Sequence, residues 1–302
     1  MISVMYHYIK ELNDFPKNGY LDFYNFKKQI NFFKNNYKIQ DPIDFIHNIK
    51  SKTIIDRKNI LLTFDDGLKC HYDFVLPYLL KNNLKGVFYI PTKILEEKKI
   101  LKVHKIHILL SIKKDKEILL EIEKHINDNN NKFIFKDLTY NNQNNDKIKH
   151  IKNYLNYELD NDLSENFVNF LFKKFINFNE ENLFEKYYLN YEEIIKMSKN
   201  GMLIGSHSHS HKLLSKESEI TLEEDISKSI NIIKDINNPV TFCYPYGGKV
   251  SYNSKVLDIL RKRKVELSFS VENREIKQND IETNHLELPR HDCNYFKYGK
   301  AS

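Results

Sequence analysis

The chain is expected to be an α/β protein whose parallel sheet curls into a (β/α) barrel. Three observations carry that expectation. Short apolar runs without polar alternation, such as residues 60–64 (ILLTF) and 86–90 (GVFYI), suit strands covered on both faces. Segments with helical spacing lie between such runs, which implies parallel strands joined by crossovers. Polar motifs follow four separate strands: Asp65-Asp66, residues 207–211, residues 245–248 and residues 290–292. In a barrel those strand ends converge on one rim, whereas an open sheet spreads them along an edge.

The elements follow in order. Residues 2–8 form a first strand and residues 23–37 a helix, with Phe26, Ile30 and Phe33 on one face. The strand at 60–64 is closed by Gly67. A helix over 72–82 carries Pro77 as a local irregularity. The strand at 86–90 stops at Pro91. From about 95 to 190 the texture changes to Lys, Asn, Glu and Ile. Helical spacing at 118–126 and 167–175 predicts a helical insertion, with a polar loop near 127–145. Alternation then resumes, with a helix at 191–199 stopped by Gly201 and a strand at 202–205. The Thr221-Leu222-Glu223-Glu224 pattern opens a helix running to Ile236. A strand at 240–244, a helix at 255–264 and a strand at 267–271 come next. A last strand at 286–288 ends in Pro289-Arg290-His291-Asp292. One barrel domain over 1–302, interrupted at about 95–190, is the expected organisation.

Composition narrows the function. With 47 basic and 41 acidic residues the net charge is +6, spread along the chain, so no nucleic-acid reader is indicated. The 3 cysteines are odd in number and form no Cys-x-x-Cys, which fits a reducing compartment. Residues 1–12 lack the basic and apolar regions of a signal peptide, and no apolar run reaches a membrane span. A cytoplasmic protein is expected.

The motifs carry chemistry. Alone, Asp-Asp-Gly is commonly a helix cap or turn. After a buried strand, with histidines elsewhere, Asp65 and Asp66 can deliver one metal ligand and one proton acceptor. His207 and His211 suit a divalent cation. One turn of helix would align them and turn His209 away; an extended run would put all three on one face. Cys243-Tyr244-Pro245-Tyr246-Gly247-Gly248 forms a rigid turn, able to line a groove or present backbone N–H groups to an oxyanion. Arg290 can orient a carboxylate or hold an anion. His291 is the candidate general acid. His7, near the end of the first strand, is placed to face the same rim. His104 and His107 are expected on a solvated helix, and the three cysteines as small packing residues.

Residues 63–67 (TFDDG), the His207-Ser-x-Ser-His211 pair and residues 244–247 (YPYG), in that order, resemble the polysaccharide deacetylases of carbohydrate esterase family four. The resemblance covers 1–95 and 190–302. It implies a distorted (β/α) barrel, often seven-stranded, and metal-dependent removal of N- or O-acetyl groups from sugars. Carried over, Asp65 is similar to the catalytic base, and Asp66, His207 and His211 to the metal ligands. The Tyr246 backbone helps hold the oxyanion. An arginine that steers the base in many relatives is replaced here by Cys243, and Arg290 is the candidate substitute.

The expected activity is therefore a hydrolase with one divalent metal ion, most simply zinc. Its partner is an acylated saccharide, short or linked to a nucleotide or lipid, used in surface-glycan synthesis. Two other readings fit the residues: an amidohydrolase for a non-sugar amide, and a sugar-binding pseudoenzyme. Only the departure at Cys243 favours the last.

Overall fold

The structure is a computed structural model describing residues 1–11, 19–53, 56–128, 144–177 and 179–300. Seven strands form a parallel sheet. They are β1 (Ile2–Tyr6), β2 (Asn59–Phe64), β3 (Val87–Ile90), β4 (Leu203–Ser206), β5 (Thr241–Cys243), β6 (Leu267–Phe269) and β7 (His291–Asp292). Their spatial order is β7, β1, β2, β3, β4, β5, β6. A short strand, Lys38–Ile39, adds to β2. The segment leading into β7 ties the two ends together. Leu288 bridges Phe269 of β6, while His291 pairs with Val4 of β1. The expected distorted barrel is thus the observed fold.

The two faces of the sheet bury different layers. Leu61, Val87, Tyr89, Leu203, Cys243, Leu267, Phe269 and Leu288 share one core with Phe45, Ile46 and Ile49 of α2 (Pro42–Lys50). Residues of opposite parity face the helices. There Phe64 stacks on Phe88 at 4.6 Å and on Tyr6 at 5.2 Å, against Phe26 of α1 (Phe23–Asn36). Each such aromatic pair contributes about 0.5–1.5 kcal/mol beyond its area.

Several elements differ from the sequence expectation. Residues 72–82 split into a π-helical turn, His71–Val75, and α3 (Leu76–Lys81). Pro77 cannot donate to the preceding turn and its ring crowds the carbonyl four residues back, which widens the helix there. Helix α2 starts at an Asp41 cap with Pro42 in its first turn, a legible signal in a stretch to which the sequence expectation assigns no element. The last strand is 291–292 rather than 286–288.

The chain divides into two compact units, Met1–Lys99 with Glu180–Ser302, and Ile100–Asn179. The second is helical: α4 (Lys102–Ile112), α5 (Asp115–Asp128), α6 (Asn144–Asn153) and α7 (Asn161–Phe175). It has its own core from Ile106, Leu109, Val168, Leu171 and Phe172, and Glu121 receives both Lys124 and Lys174. His104 is buried on α4, not solvated as expected. Most of the polar loop expected near 127–145 lies outside the described residues. In the first unit, α8 (Glu180–Tyr187) leads into α9 (Tyr191–Lys199), opened by the Asn190–Glu193 capping box. Gly201, at φ 84°, ends α9 as expected. Helix α10 (Glu219–Ile236) is capped by Ser218 instead of Thr221, whose N–H donates to the Ser218 hydroxyl. Helices α11 (Ser254–Lys262) and α12 (Gln278–Thr283) complete the unit. Among the described residues, no helix is long and apolar enough to cross a membrane.

Candidate active site

Strand β2 carries Leu61 and Thr63 into the barrel, and Asp65 continues the same parity. The Asp65 N–H is held by the Tyr6 carbonyl at 2.9 Å. The next residue would ordinarily point away. It does not, because Asp66 (φ 77°) and Gly67 (φ 61°) both take the left-handed conformation and turn the chain. For an aspartate that conformation costs roughly 1–2 kcal/mol, so the turn is held by its surroundings.

The two histidines reach Asp66 from the loop after β4. Nε2 of His207 and of His211 lie 3.4 and 3.2 Å from the same carboxylate oxygen, Oδ1. All three residues are buried, and their ligand atoms lie within 4.8 Å of one another. The loop is neither helical nor extended. Ser208 and His211 are left-handed (φ 62° and 55°), and the Ser208 hydroxyl accepts the His211 N–H at 3.0 Å. That bend brings the two rings to 4.9 Å. His209 turns away, with Nδ1 at 2.9 Å from the Thr92 hydroxyl.

This donor set fits a divalent cation. Nδ1 of His207 donates to the Cys243 carbonyl at 2.8 Å, which fixes the ring and directs Nε2 at Asp66. Burial opposes a charge on His207, but Cys243 and the Asp66 carboxylate outweigh it and hold its pKa well above the ordinary value. A cation entering here displaces that proton. Two imidazoles and one carboxylate leave further positions open, the pattern of a catalytic rather than a structural zinc site.

Asp65 serves a different partner. Arg290 donates to both of its oxygens, Nη1 to Oδ1 at 2.8 Å and Nη2 to Oδ2 at 2.7 Å. The guanidinium is fully buried, also donates to the Thr63 hydroxyl at 3.0 Å, and lies 2.9 Å from the Cys243 sulfur. Burial pushes the Asp65 carboxyl up, but Arg290 outweighs it, with help from His207 and His7, and holds it below the ordinary carboxylate range. Asp65, His207 and Cys243 also cluster, yet the guanidinium occupies both Asp65 oxygens and burial raises the Cys243 thiol. Of the two clusters, the one around Asp66 is therefore the better fit for a cation. Cys243 is more than a packing residue, since its sulfur adjoins the Arg290 clamp.

The structure does not bring His291 to this site. Arg290 and His291 are adjacent in an extended segment, so they point to opposite faces. Arg290 enters the barrel. The His291 ring lies 5.0 and 5.4 Å from the rings of Tyr295 and Phe296, and its buried Nδ1 has no hydrogen-bond partner. A different histidine stands at the rim. Nε2 of His7, beyond β1, lies 4.0 Å from Asp65 and 3.9 Å from Asp66, on a side chain 38% exposed. Tyr246, at φ 63°, sets its ring 5.3 Å from that of His211, so the Tyr-Pro-Tyr-Gly turn borders the ligand set.

Two supporting residues were absent from the sequence reading. Asp225 of α10 accepts the N–H groups of His209 and Ser210 at 2.8 and 2.9 Å, pinning the histidine loop. Its signal was the acidic residue directly after the Thr221-Leu222-Glu223-Glu224 motif, which reads as helix surface. His71 donates from Nε2 to the His7 carbonyl at 2.8 Å, and its ring sits 5.5 and 5.8 Å from Phe64 and Phe88. Burial pushes its pKa down to about 4, so the ring is neutral.

The sequence profile of polysaccharide deacetylases matches residues 52–128 and 167–267, more than half of the chain. The match takes in Asp65, Asp66, His207, His211 and Tyr246, and leaves His7 and Arg290 outside. Among curated proteins no sequence matches. Solved structures are similar in fold. One is the Streptococcus pyogenes deacetylase PplD in complex with acetate (TM-score 0.60, 15% identity, covering 97% of this chain and 91% of that one). Another is IcaB from Ammonifex degensii (0.57, 14%, 96% and 90%). A third is a de-N-acetylase from Aggregatibacter actinomycetemcomitans (0.57, 15%, 96% and 93%).

Proposed function

The chain belongs to the polysaccharide deacetylase family, enzymes that hydrolyse acetyl amide bonds, and on that premise we propose that it removes an N- or O-acetyl group from a short or carrier-linked saccharide with the help of one divalent metal ion. One observation carries this reading: the adjacent carboxylates are unequal, Asp66 facing two imidazoles and Asp65 gripped by Arg290.

Asp66, His207 and His211 would hold the ion, and zinc suits their nitrogen and oxygen donors. Such an ion supplies Lewis-acid polarisation of an acyl carbonyl and acidifies water at that point. Asp65, kept anionic and oriented by Arg290, accepts the proton of the attacking water. The backbone at Tyr246 stabilises the oxyanion. His7 delivers a proton to the leaving nitrogen, in the role that the sequence assigned to His291. Proximity to both carboxylates and partial exposure to the rim support His7; burial against Tyr295 and Phe296 speaks against His291.

The argument for a sugar-binding pseudoenzyme rests on Cys243, and Arg290 beside Asp65 speaks against it. A cytoplasmic location belongs to the same proposal, supported by three free cysteines, all buried. The test is acetate release across a panel of acetylated sugars, nucleotide sugars and non-sugar amides, with metal content measured in parallel. Acetate from a sugar that requires bound metal is expected. Turnover restricted to non-sugar amides would sink the saccharide reading.

A further inference from the structure

The chain around His7 is held by different kinds of donor. The Tyr6 carbonyl takes the Asp65 N–H and the Tyr8 carbonyl takes the Leu21 N–H, both at 2.9 Å. Between them the His7 carbonyl is met by a side chain, Nε2 of His71, at 2.8 Å. His71 opens the π-helical turn that follows the two aspartates, and its own N–H goes to the Leu68 carbonyl at 3.0 Å. Residues 65–71 therefore carry both carboxylates and the group that grips the histidine facing them.

Packing alone does not call for an imidazole at position 71. The side chain is fully buried, its ring is edge-on to Phe64 and tilted against Phe88, and its Nδ1 has no hydrogen-bond partner. An apolar side chain would fill that space without burying a polar nitrogen. A lysine or arginine would bury a charge among aromatic rings. A neutral imidazole donates from one nitrogen and leaves the other bare, which matches both observations. What it adds to the packing is the bond to His7. That bond matters because, among the described residues, no hydrogen bond holds the His7 ring. Its Nε2 makes only long contacts, 4.0 Å to Asp65 and 3.9 Å to Asp66. The aim of the ring is therefore set by its backbone.

We propose that His71 is a positioning residue for the reaction: its N–H fixes the His7 backbone and so aims the His7 imidazole over Asp65 and Asp66, where the leaving nitrogen takes its proton. The inference rests on the acid role proposed for His7 and deepens it.

The test compares kcat for two acetyl donors on zinc-loaded protein. One is an N-acetylated sugar, with N-acetylglucosamine as the first probe. The other is para-nitrophenyl acetate, whose phenolate leaves without needing a proton. The ratio of sugar to ester turnover is independent of the folded fraction. It is expected to fall about 10–100-fold in His71→Leu, the cost of a misplaced group. It is expected to recover in His71→Gln, whose amide N–H can reach the same carbonyl. In a His7→Gln background, His71→Leu should lower it no further. A ratio that falls in His7→Gln but not in His71→Leu, or that His71→Leu lowers equally in both backgrounds, would overturn the proposal and leave the acid role of His7 standing. A ratio unmoved by His7→Gln removes that role and the proposal with it. Proton–nitrogen correlation spectra of histidine-labelled protein need no turnover. The His7 ring signal, identified by its loss in His7→Gln, is expected to shift or broaden in His71→Leu; an unchanged signal refutes the positioning.

Discussion

Arg290 and Asp65 form a two-pronged, fully buried ion pair across the barrel, 225 residues apart in sequence. The guanidinium also lies 2.9 Å from the Cys243 sulfur. Substituting Arg290→Met leaves a buried carboxylate without its partner, and a destabilisation of about 3–5 kcal/mol is expected. It should also raise the Asp65 pKa, because the largest influence opposing burial is then lost. The acid limb of kcat/KM would move to higher pH. Arg290→Lys keeps charge but not the fork, and is expected to restore part of the stability and less of the rate. Urea titrations and pH–rate profiles of the two variants check this.

The two aspartates should separate by metal content. Asp65→Asn is expected to retain the ion and lose about a thousandfold in kcat, the contribution of a positioned base. Asp66→Asn is expected to lose the ion itself. Elemental analysis of purified variants decides it: metal lost from the first and kept by the second would exchange their roles.

His7→Gln is expected to lower kcat about 10²–10⁴-fold with little change in metal content. His291→Gln is expected to leave kcat near wild type. A variant pair behaving the opposite way would return the acid role to His291.

Asp225→Asn should act on the metal without touching it. Its carboxylate holds the two N–H groups between the proposed ligands His207 and His211, so the variant is expected to bind metal about 10–100-fold more weakly. Competition with a chromogenic chelator measures this directly. Unchanged affinity would mean that the loop holds its shape alone.

His71 predicts a pH signature of stability. Its folded pKa, near 4, lies below the unfolded value near 6.5, so the unfolded chain binds the extra proton between them. Its contribution, roughly 3 kcal/mol, is fully present above pH 6.5 and is lost as pH falls towards 4. His71→Asn keeps an N–H donor and does not titrate. Its melting temperature is expected to fall less steeply over that window. Parallel decline of variant and wild type would exclude His71 as the cause.

Much of the barrel was legible because buried parallel strands write themselves as unbroken apolar runs, as in residues 60–64. The convergence of Asp66, His207 and His211 followed from strand ends meeting on one rim. What failed was parity and local conformation. Arg290 and His291 were both assigned to the site, although neighbours in an extended segment cannot share a face. Asp65 and Asp66 do share one, and only because Asp66 adopts a left-handed conformation that no composition signals. The histidine bend depends on Ser208, also left-handed, and on Asp225, a residue whose sequence context is ordinary helix surface. The Thr221 motif is not the cap of α10, which opens three residues earlier at Ser218.

The segment that joins β6 to β1 has a consequence in time. Arg290 leaves the ribosome long after Asp65, and it arrives on the piece of chain that ties the last strand to the first. Until that piece docks, the Asp65 carboxylate lacks the two-pronged guanidinium that orients it. Closing the sheet and clamping Asp65 are therefore a single event, and a chain whose last strand is undocked lacks the clamp.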